Sequence, residues 1–335
     1  MSKKLHELSA NDEIVQPSDV QPAVGITGTQ IAVIAGKPII APYGTSTIST
    51  FAELKNALTA IASKSVTPAA KVTEARASLV GQEIADTWAK TDGTEYANPW
   101  IVTDVHFWRG EGDAAGTATR LGALLQRKYV HSENASIYGN DTDKVAYWVT
   151  SAMRQWLNSS APLGTSWFTP TEYCIVPPTM ATTIRGYVAG CSSEVRQYAK
   201  KVYIKTLLSP AVEGGSATVP NESLDLFFSP SGSEMYLNTG STGSTGSRVA
   251  VEGEFSPYWK GATGYDTPND SANAGRIVVR EDTSVASVVA LRTMYNHATA
   301  NKNVTISIST AGASAGISAG QYAQNCQIAP CCVVY

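Results

Sequence analysis

Charge is scarce in this chain. Asp, Glu, Lys and Arg make up only 16% of its 335 residues, against about 25% in an ordinary soluble domain, and Ser, Thr, Gly, Ala and Asn take their place. Such a surface is polar but weakly charged, suited to packing into an assembly or facing saccharide. The net charge of −3 leaves no broad basic field for a phosphate backbone, so nucleic acid is not an expected partner. No stretch approaches the ~18 apolar residues of a membrane span. At the N-terminus, Lys3 and Lys4 are followed by the polar run LHELSANDE instead of the apolar core of a secretory signal. The expectation is a protein made in a cytoplasm, with no membrane partner, that reaches any other place by assembly or lysis.

Chemistry-bearing clusters are missing as well. The four histidines, His6, His106, His131 and His297, have no ligand partner at metal-binding spacing. No metal and no other cofactor is expected. The five cysteines, Cys174, Cys191, Cys326, Cys331 and Cys332, are odd in number and contain no CxxC, so they make neither a disulfide framework nor a metal knuckle. They are read as buried small apolar residues, with a Cys174–Cys191 bridge left open. Cys331 and Cys332, adjacent in a terminal strand, should point to opposite faces of it. There is no GxSxG elbow. The spacing of Gly110, Gly112 and Gly116 is one residue longer than the dinucleotide fingerprint and no βαβ unit follows. The acid pairs Glu281–Asp282 and Glu252–Glu254 have the composition of a glycosidase pair, but acids at strand ends are ordinarily just solvated. The reading is that the protein is not an enzyme.

What is present divides the chain into three. Residues 1–48 read as an extended N-terminal docking arm, punctuated by Pro17, Pro22, Pro38 and Pro42, with one apolar run, IAVIAGKPII, able to form a strand or a hairpin around Gly36 and Lys37. Residues 49–94 read as a small helix-containing unit. There Thr50 and Glu53 form a capping-box pattern, and Phe51, Leu54, Leu58 and Ile61 recur at helical spacing, predicting a helix over about 51–63. VTPAAKVTEARASLVGQEI after it shows no clear period, and the boundary with the main domain is placed near 90–100. Residues 95–335 form the main domain. Its densest core signal runs from Tyr147 to Leu237, opening with YWVTSAMRQWLNSS and closing on DLFFSPSGSEMYL. Met153, Trp156 and Leu157 face one side of a short helix, Tyr198–Leu208 changes from helical to strand-like, and Asp225–Pro230 reads as a strand. NTGSTGSTGS at 238–247 is low-complexity. From Arg276 on, RIVVRE, VASVVALRT, NVTISIST and CQIAPCCVVY predict four strands of one terminal antiparallel sheet.

Tyr258, Trp259, Tyr265 and Trp167 have the residue types of a sugar-stacking platform, and equally of a core. Pro268-Asn269-Asp270 has the composition of a calcium-binding triplet in a turn.

The order YW-x-x-SAMRQWLNSS, Trp167 with Thr169-Pro170, Pro177-Pro178, RGYVAGCSSEV, KVYIKTLL, DLFFSPSGSEMYL, PYWKGATGYD, VVALRTMYNHA and QIAPCCVVY resembles the DUF6273-type domain, frequent in phages and prophages of gut bacteria and similar to C-type-lectin and formylglycine-generating-enzyme-like folds. The likeness spans roughly residues 95–335. It implies an α+β, C-type-lectin-like domain with antiparallel sheets and short helices, displayed without catalysis on a virion surface as a head decoration, head fibre or tail component. The implied partners are capsid or tail proteins held through the arm, a host cell-surface glycan or protein, and further copies of the same chain as a homo-oligomer. A decoration or cement protein without a ligand, and a polysaccharide-degrading enzyme, are the alternatives. In similar lectin-fold proteins the stretch before the last strand faces the ligand. Here that is residues 294–327, with Tyr295, Asn296, His297, Asn301, Asn303, Tyr322 and Asn325 as candidate contacts beside Trp259 and Tyr265.

Overall fold

The computed structural model describes residues 29–34, 37–42, 48–131, 133, 145, 147–208, 212–216, 219–237, 252–263, 276, 278–280, 286–294, 304–308, 314–318 and 326–335. Two compact units are present, Met1–Ile48 and Ser49–Tyr335. In the first, β1 (Thr29–Ile34) and β2 (Lys37–Pro42) pair antiparallel with Ile34 opposite Lys37, so the apolar run of the arm forms a hairpin.

The second unit opens with two helices. The first, α1 (Phe51–Ala62), begins at the Thr50–Glu53 capping box, and its period-3.6 stripe Phe51, Leu54, Leu58 and Ile61 is buried. Burying each of the three best-covered side chains stabilises the fold by about 1.5–3 kcal/mol. Its partner α2 (Pro68–Leu79) starts where Thr67 accepts a hydrogen bond from the Ala70 amide and Pro68 occupies the first turn, the position where a missing N–H costs nothing. Both helices pack on strands of the main sheet.

That sheet draws strands from distant parts of the chain. Its members are β3 (Glu83–Ile84), β6 (Trp100–Trp108), β7 (Arg120–Arg127), β8 (Ala199–Lys200) and β16 (Cys331–Val334), in the order β3-β6-β7-β16-β8 with every pairing antiparallel. Between β3 and β6 lies a separate hairpin of β4 (Thr87–Ala89) and β5 (Glu95–Ala97). A bulge between Val102 and Asp104 bends β6, and Arg76 of α2 reaches the buried Asp104 carboxylate from Nε at 2.8 Å. Leu121–Arg127 and all of β16 are buried, so the middle of the sheet is covered on both faces.

Further elements of the unit are α3 (Ala152–Leu157), α4 (Tyr187–Gly190) and α5 (Ser193–Tyr198), the last packed on α1, the β9 (Val202–Thr206) and β10 (Asn221–Asp225) hairpin, and the buried Phe227 and Phe228. Trp100 stacks on Phe227 at 6.0 Å between centroids, and Tyr187 meets Phe227 edge-on at 5.1 Å. A last helix, α6 (Pro257–Thr263), lies against β6. A second five-stranded sheet holds β11 (Val278–Val279), β12 (Ala286–Met294), β13 (Val304–Ile308), β14 (Ser314–Ser318) and β15 (Cys326–Gln327). The architecture is α+β, with an antiparallel main sheet and short helices.

Two sequence expectations are corrected, and the open question of a Cys174–Cys191 bridge is decided. The four C-terminal strands do not share one antiparallel sheet: β15 pairs parallel with β12, and β16 enters the main sheet between β7 and β8. Pro330 makes the change of sheet, its carbonyl accepting the Arg127 amide at 2.9 Å. Residues 49–94 are not a unit of their own, because β3 pairs with β6 and both helices pack on the main sheet. Cys174 and Cys191 do not bridge; both are buried thiols. Cys331 and Cys332 do point to opposite faces, since Cys331 faces Glu234 and Arg292 while Cys332 faces Arg127, Cys191 and Asp86.

Candidate functional site

The polar residues of the central motifs are mostly internal anchors. In α3, Ser151 caps the helix and Arg154 extends from it to Asp225, Nε to Oδ1 at 2.6 Å. The same buried carboxylate accepts the Trp148 indole N–H at 3.0 Å and the Ser223 hydroxyl at 2.6 Å. One turn on, Asn158 clamps the DLFF segment: its Oδ1 accepts the amides of Leu226 at 2.7 Å and Phe227 at 3.2 Å, and its Nδ2 donates to the Phe227 carbonyl at 2.9 Å. These bonds hold 148–158 against 221–228, which explains the co-occurrence of the two motifs in sequence.

SPSGSE and LRT meet in a second network. Arg292 is 1% exposed, and all five of its N–H donors are taken. Two bonds go to Glu234, Nη1 to Oε2 at 2.6 Å and Nη2 to Oε1 at 2.7 Å, a bidentate pair. Three go to the carbonyls of Lys205 at 3.3 Å, Ser229 at 2.8 Å and Glu252 at 2.8 Å. Burial works against the guanidinium's charge, but Glu234 and Glu252 raise its pKa further than burial lowers it. Glu252 accepts the Leu207 amide on Oε1 at 2.8 Å and the Thr293 hydroxyl on Oε2. Thr293 in turn accepts the Gly232 amide at 2.9 Å. The turn that presents Glu234 ends at Tyr236, the one described non-glycine residue with positive φ, 52°. Such a conformation costs about 1–3 kcal/mol and is held by the Leu237 amide on the Gly232 carbonyl at 2.8 Å and by Arg276 Nη1 on the Tyr236 carbonyl at 3.0 Å.

A third centre surrounds Arg127. Its guanidinium lies over Trp100, 4.1 Å from the ring centroid, and pairs with Asp86 at 2.9 Å and the Tyr187 hydroxyl at 3.2 Å. Beside it, His131 is fully buried between Trp88 and Tyr187, with ring centroids 4.3 and 5.1 Å away. Both ring nitrogens lack a hydrogen-bond partner among the described residues. Burial, with Arg127 adding to it, pushes the imidazole's pKa well below its ordinary value, so the ring is neutral.

On the outer side of the Arg292 network a cleft of about 260 Å³ opens. Its floor is Arg292, Glu234 and Glu252, and its walls come from the end of β6, the 116–118 loop, β9, Glu222 of β10 and residues 253–254. The Arg109 guanidinium lies 3.5 Å from the centroid of Tyr203 and pairs with Glu222 at 2.7 Å. His106 lies tilted against Trp108, ring centroids 4.0 Å apart. Sequence reasoning singled out only Glu252 and Glu254 here. The other residues come from six separate segments whose meeting leaves no local signal.

Of the candidate contacts read from sequence, Trp259 is 6% exposed and its indole N–H donates to Gln126 Oε1 at 3.2 Å. It sits in the core, in a cluster with Met235, Leu237 and Leu291. Trp167 is also buried, at 6% exposure. Tyr265, Tyr295, Asn296, His297, Asn301, Asn303, Tyr322 and Asn325 lie outside the described residues, as do Pro268-Asn269-Asp270 and the Glu281–Asp282 pair. Among the described residues no group of three or more His, Cys, Asp or Glu is placed to hold a metal, and no helix is long and apolar enough to cross a membrane.

No curated protein and no solved structure matches the chain. A family model described as a domain of unknown function (DUF6273) matches residues 122–335. The match begins at Gly122 inside β7, so the strand that β7 pairs with, β6, and the helices that cover it precede the matched region. Within the match lie Arg154, Asn158, Asp225, Glu234 and Arg292, the anchors that join the motifs. Extending over more than half of its length, the match makes this chain a member of the DUF6273 family of domains of unknown function.

Proposed function

We propose that this protein is a non-catalytic display module on a bacteriophage virion, a head decoration, fibre or tail component whose C-type-lectin-like domain attaches to the host surface. The observation that carries the reading is the way residues 294–327 are held. On one side, Arg292 and Thr293 fix β12 in the core through seven hydrogen bonds. On the other, Ile328–Val334 is buried and ends in the main sheet. A stretch pinned at both ends changes its sequence without disturbing the core, the arrangement by which a rigid scaffold presents a variable surface. Tyr295, Asn296, His297, Asn301, Asn303, Tyr322 and Asn325 supply the aromatic and amide groups suited to adaptable polar contacts.

Binding is favoured over hydrolysis because both oxygens of Glu252 and of Glu234 accept structural hydrogen bonds, which leaves neither poised to activate water. The separate unit Met1–Ile48 is suited to docking on capsid or tail proteins. Many copies, as a homo-oligomer on one particle, turn weak contacts to a glycan or surface protein into firm attachment. The protein is then made in the bacterial cytoplasm and works on the virion surface.

The test is binding of the fluorescently labelled full chain to intact candidate host cells, with and without EDTA. Saturable, EDTA-independent binding that is lost in the Tyr295→Ala, Asn296→Ala, His297→Ala triple variant supports the reading. Absence of binding even when the protein is multimerised on beads refutes attachment and leaves a decoration or cement role.

A further inference from the structure

Nothing in the attachment reading uses the cleft above the Arg292 network. We infer that it binds a neutral, hydroxyl-rich ring the size of one monosaccharide.

Three properties point there. First, the cleft is preformed. Its floor consists of buried groups whose donors and acceptors are already satisfied: the five Arg292 N–H groups, and both oxygens of Glu234 and Glu252. A ligand therefore meets a fixed surface and no side chain of the floor has to be ordered on binding. Second, the walls carry planar side chains, with Arg109 over the Tyr203 ring and His106 tilted against Trp108. Aromatic faces are electron-rich and attract the weakly positive C–H face of a sugar ring. The volume, about 260 Å³, lies just under the ~300–1,000 Å³ of sites for drug-sized ligands, so it holds one ring and not a longer chain.

Third, the charge selects among ligands. Glu222, Glu234, Glu252 and Glu254 outnumber Arg109, Lys205 and Arg292 in the lining. The strongest cation, Arg292, has no donor left, and Arg109 is paired with Glu222. A phosphate or an acidic sugar meets more carboxylates than cations in the lining, which disfavours it, while the buried Arg109 Nε, without a hydrogen-bond partner among the described residues, is a donor for a neutral hydroxyl. Hydroxyl groups, by contrast, donate to carboxylate oxygens at the rim, where Glu222 and the exposed Glu254 stand. Arg109 and Lys205 beside them disfavour an ammonium.

Saturation-transfer NMR titration of the full chain tests this with the methyl glycosides of glucose, galactose, mannose and N-acetylglucosamine as neutral probes, and glucuronate and inorganic phosphate as anionic ones. At least one neutral glycoside is expected to bind with a millimolar Kd, the range open to a single ring, and more tightly than either anion. Glu254→Ala removes a charged acceptor and weakens binding about tenfold. Ala118→Trp fills the cleft from its exposed lip and abolishes it. Both positions are exposed, so neither change endangers folding. No saturable neutral glycoside, tighter binding of phosphate or glucuronate, or binding that survives both variants overturns the inference. The triple variant of Tyr295, Asn296 and His297 leaves the titration unchanged; loss of glycoside binding there moves the site to 294–327 and also overturns it.

Discussion

Replacing Arg292 tests whether the LRT and SPSGSE motifs are held together by this one side chain. Arg292→Met keeps the approximate volume and removes five donors. Glu234 is then buried at 3% exposure with the Ser231 amide still donating to it at 2.8 Å, and the carbonyls of Lys205, Ser229 and Glu252 lose a partner each. Breaking a buried ion pair from one side costs about 3–5 kcal/mol. On a whole-domain stability of about 5–15 kcal/mol, a loss of that size lowers Tm by about 6–20 °C. Urea and thermal unfolding followed by tryptophan fluorescence measure it. Arg292→Lys keeps the charge but has three donors for five acceptors, so it falls between wild type and Arg292→Met. In the double variant Arg292→Met, Glu234→Met the stranded carboxylate is gone, and the pair removed together costs less than Arg292→Met alone. A loss below about 1 kcal/mol for Arg292→Met, within the range of surface substitutions, would refute the claim that Arg292 joins the motifs.

Other outcomes follow from the remaining buried groups. His131 has a folded pKa depressed by burial and by Arg127, so below about pH 6.5 the unfolded chain takes up a proton that the folded one refuses. Stability is therefore fully present above that pH and falls as pH drops, by up to about 1.4 kcal/mol per pH unit from this group; urea unfolding at stepped pH shows the slope, and His131→Phe reduces it. Burial pushes the Cys191 thiol up to about 12 and those of Cys331 and Cys332 well above their ordinary value, so a thiol reagent should leave these three unlabelled until denaturant is added. A Cβ at Gly186 would stand 2.2 Å from the Ser159 carbonyl oxygen, a clash with backbone that cannot swing aside. Gly186→Ala is expected to cost about 1–3 kcal/mol, read as a lowered urea midpoint, whereas Gly214→Ala meets nothing within 4 Å and feels only its own positive φ.

Sequence by itself determined the features that depend on neighbours along the chain. The Thr50–Glu53 box and the stripe Phe51, Leu54, Leu58, Ile61 define α1, because capping and helical period are set within a few residues. Ser151 with Met153, Trp156 and Leu157 defines α3 for the same reason, and IAVIAGKPII closes into the β1–β2 hairpin. The Thr67-Pro68 start of α2 was legible too, as a cap followed by a first-turn proline, but the weak apolar stripe behind it, with only Ala75 and Leu79 buried, obscured the helix. The strand signal near 225 was displaced for a related reason. The strand is NESLD at 221–225, whose buried residues Ser223 and Asp225 are polar, while the more apolar LFF after it is held by Asn158 and a bridge to Cys331.

Tertiary structure alone decided where the strands went and what met around Arg292. CQIAPCCVVY reads as strand in any sheet; that Cys331–Val334 enters the main sheet between β7 and β8 depends on burial of both faces of Cys331 and Cys332 by chain segments far away in sequence. In the sequence Arg292 and Glu234 lie in two separate motifs, and Glu252 reads as a solvated acid. Only folding brings the three within hydrogen-bond reach, where the pairing of Arg292 with Glu234 and the surrounding carbonyls offsets the cost of burying the charges. The cleft follows from the same cause: its walls come from five separate segments, and no local pattern records a meeting that long-range packing creates.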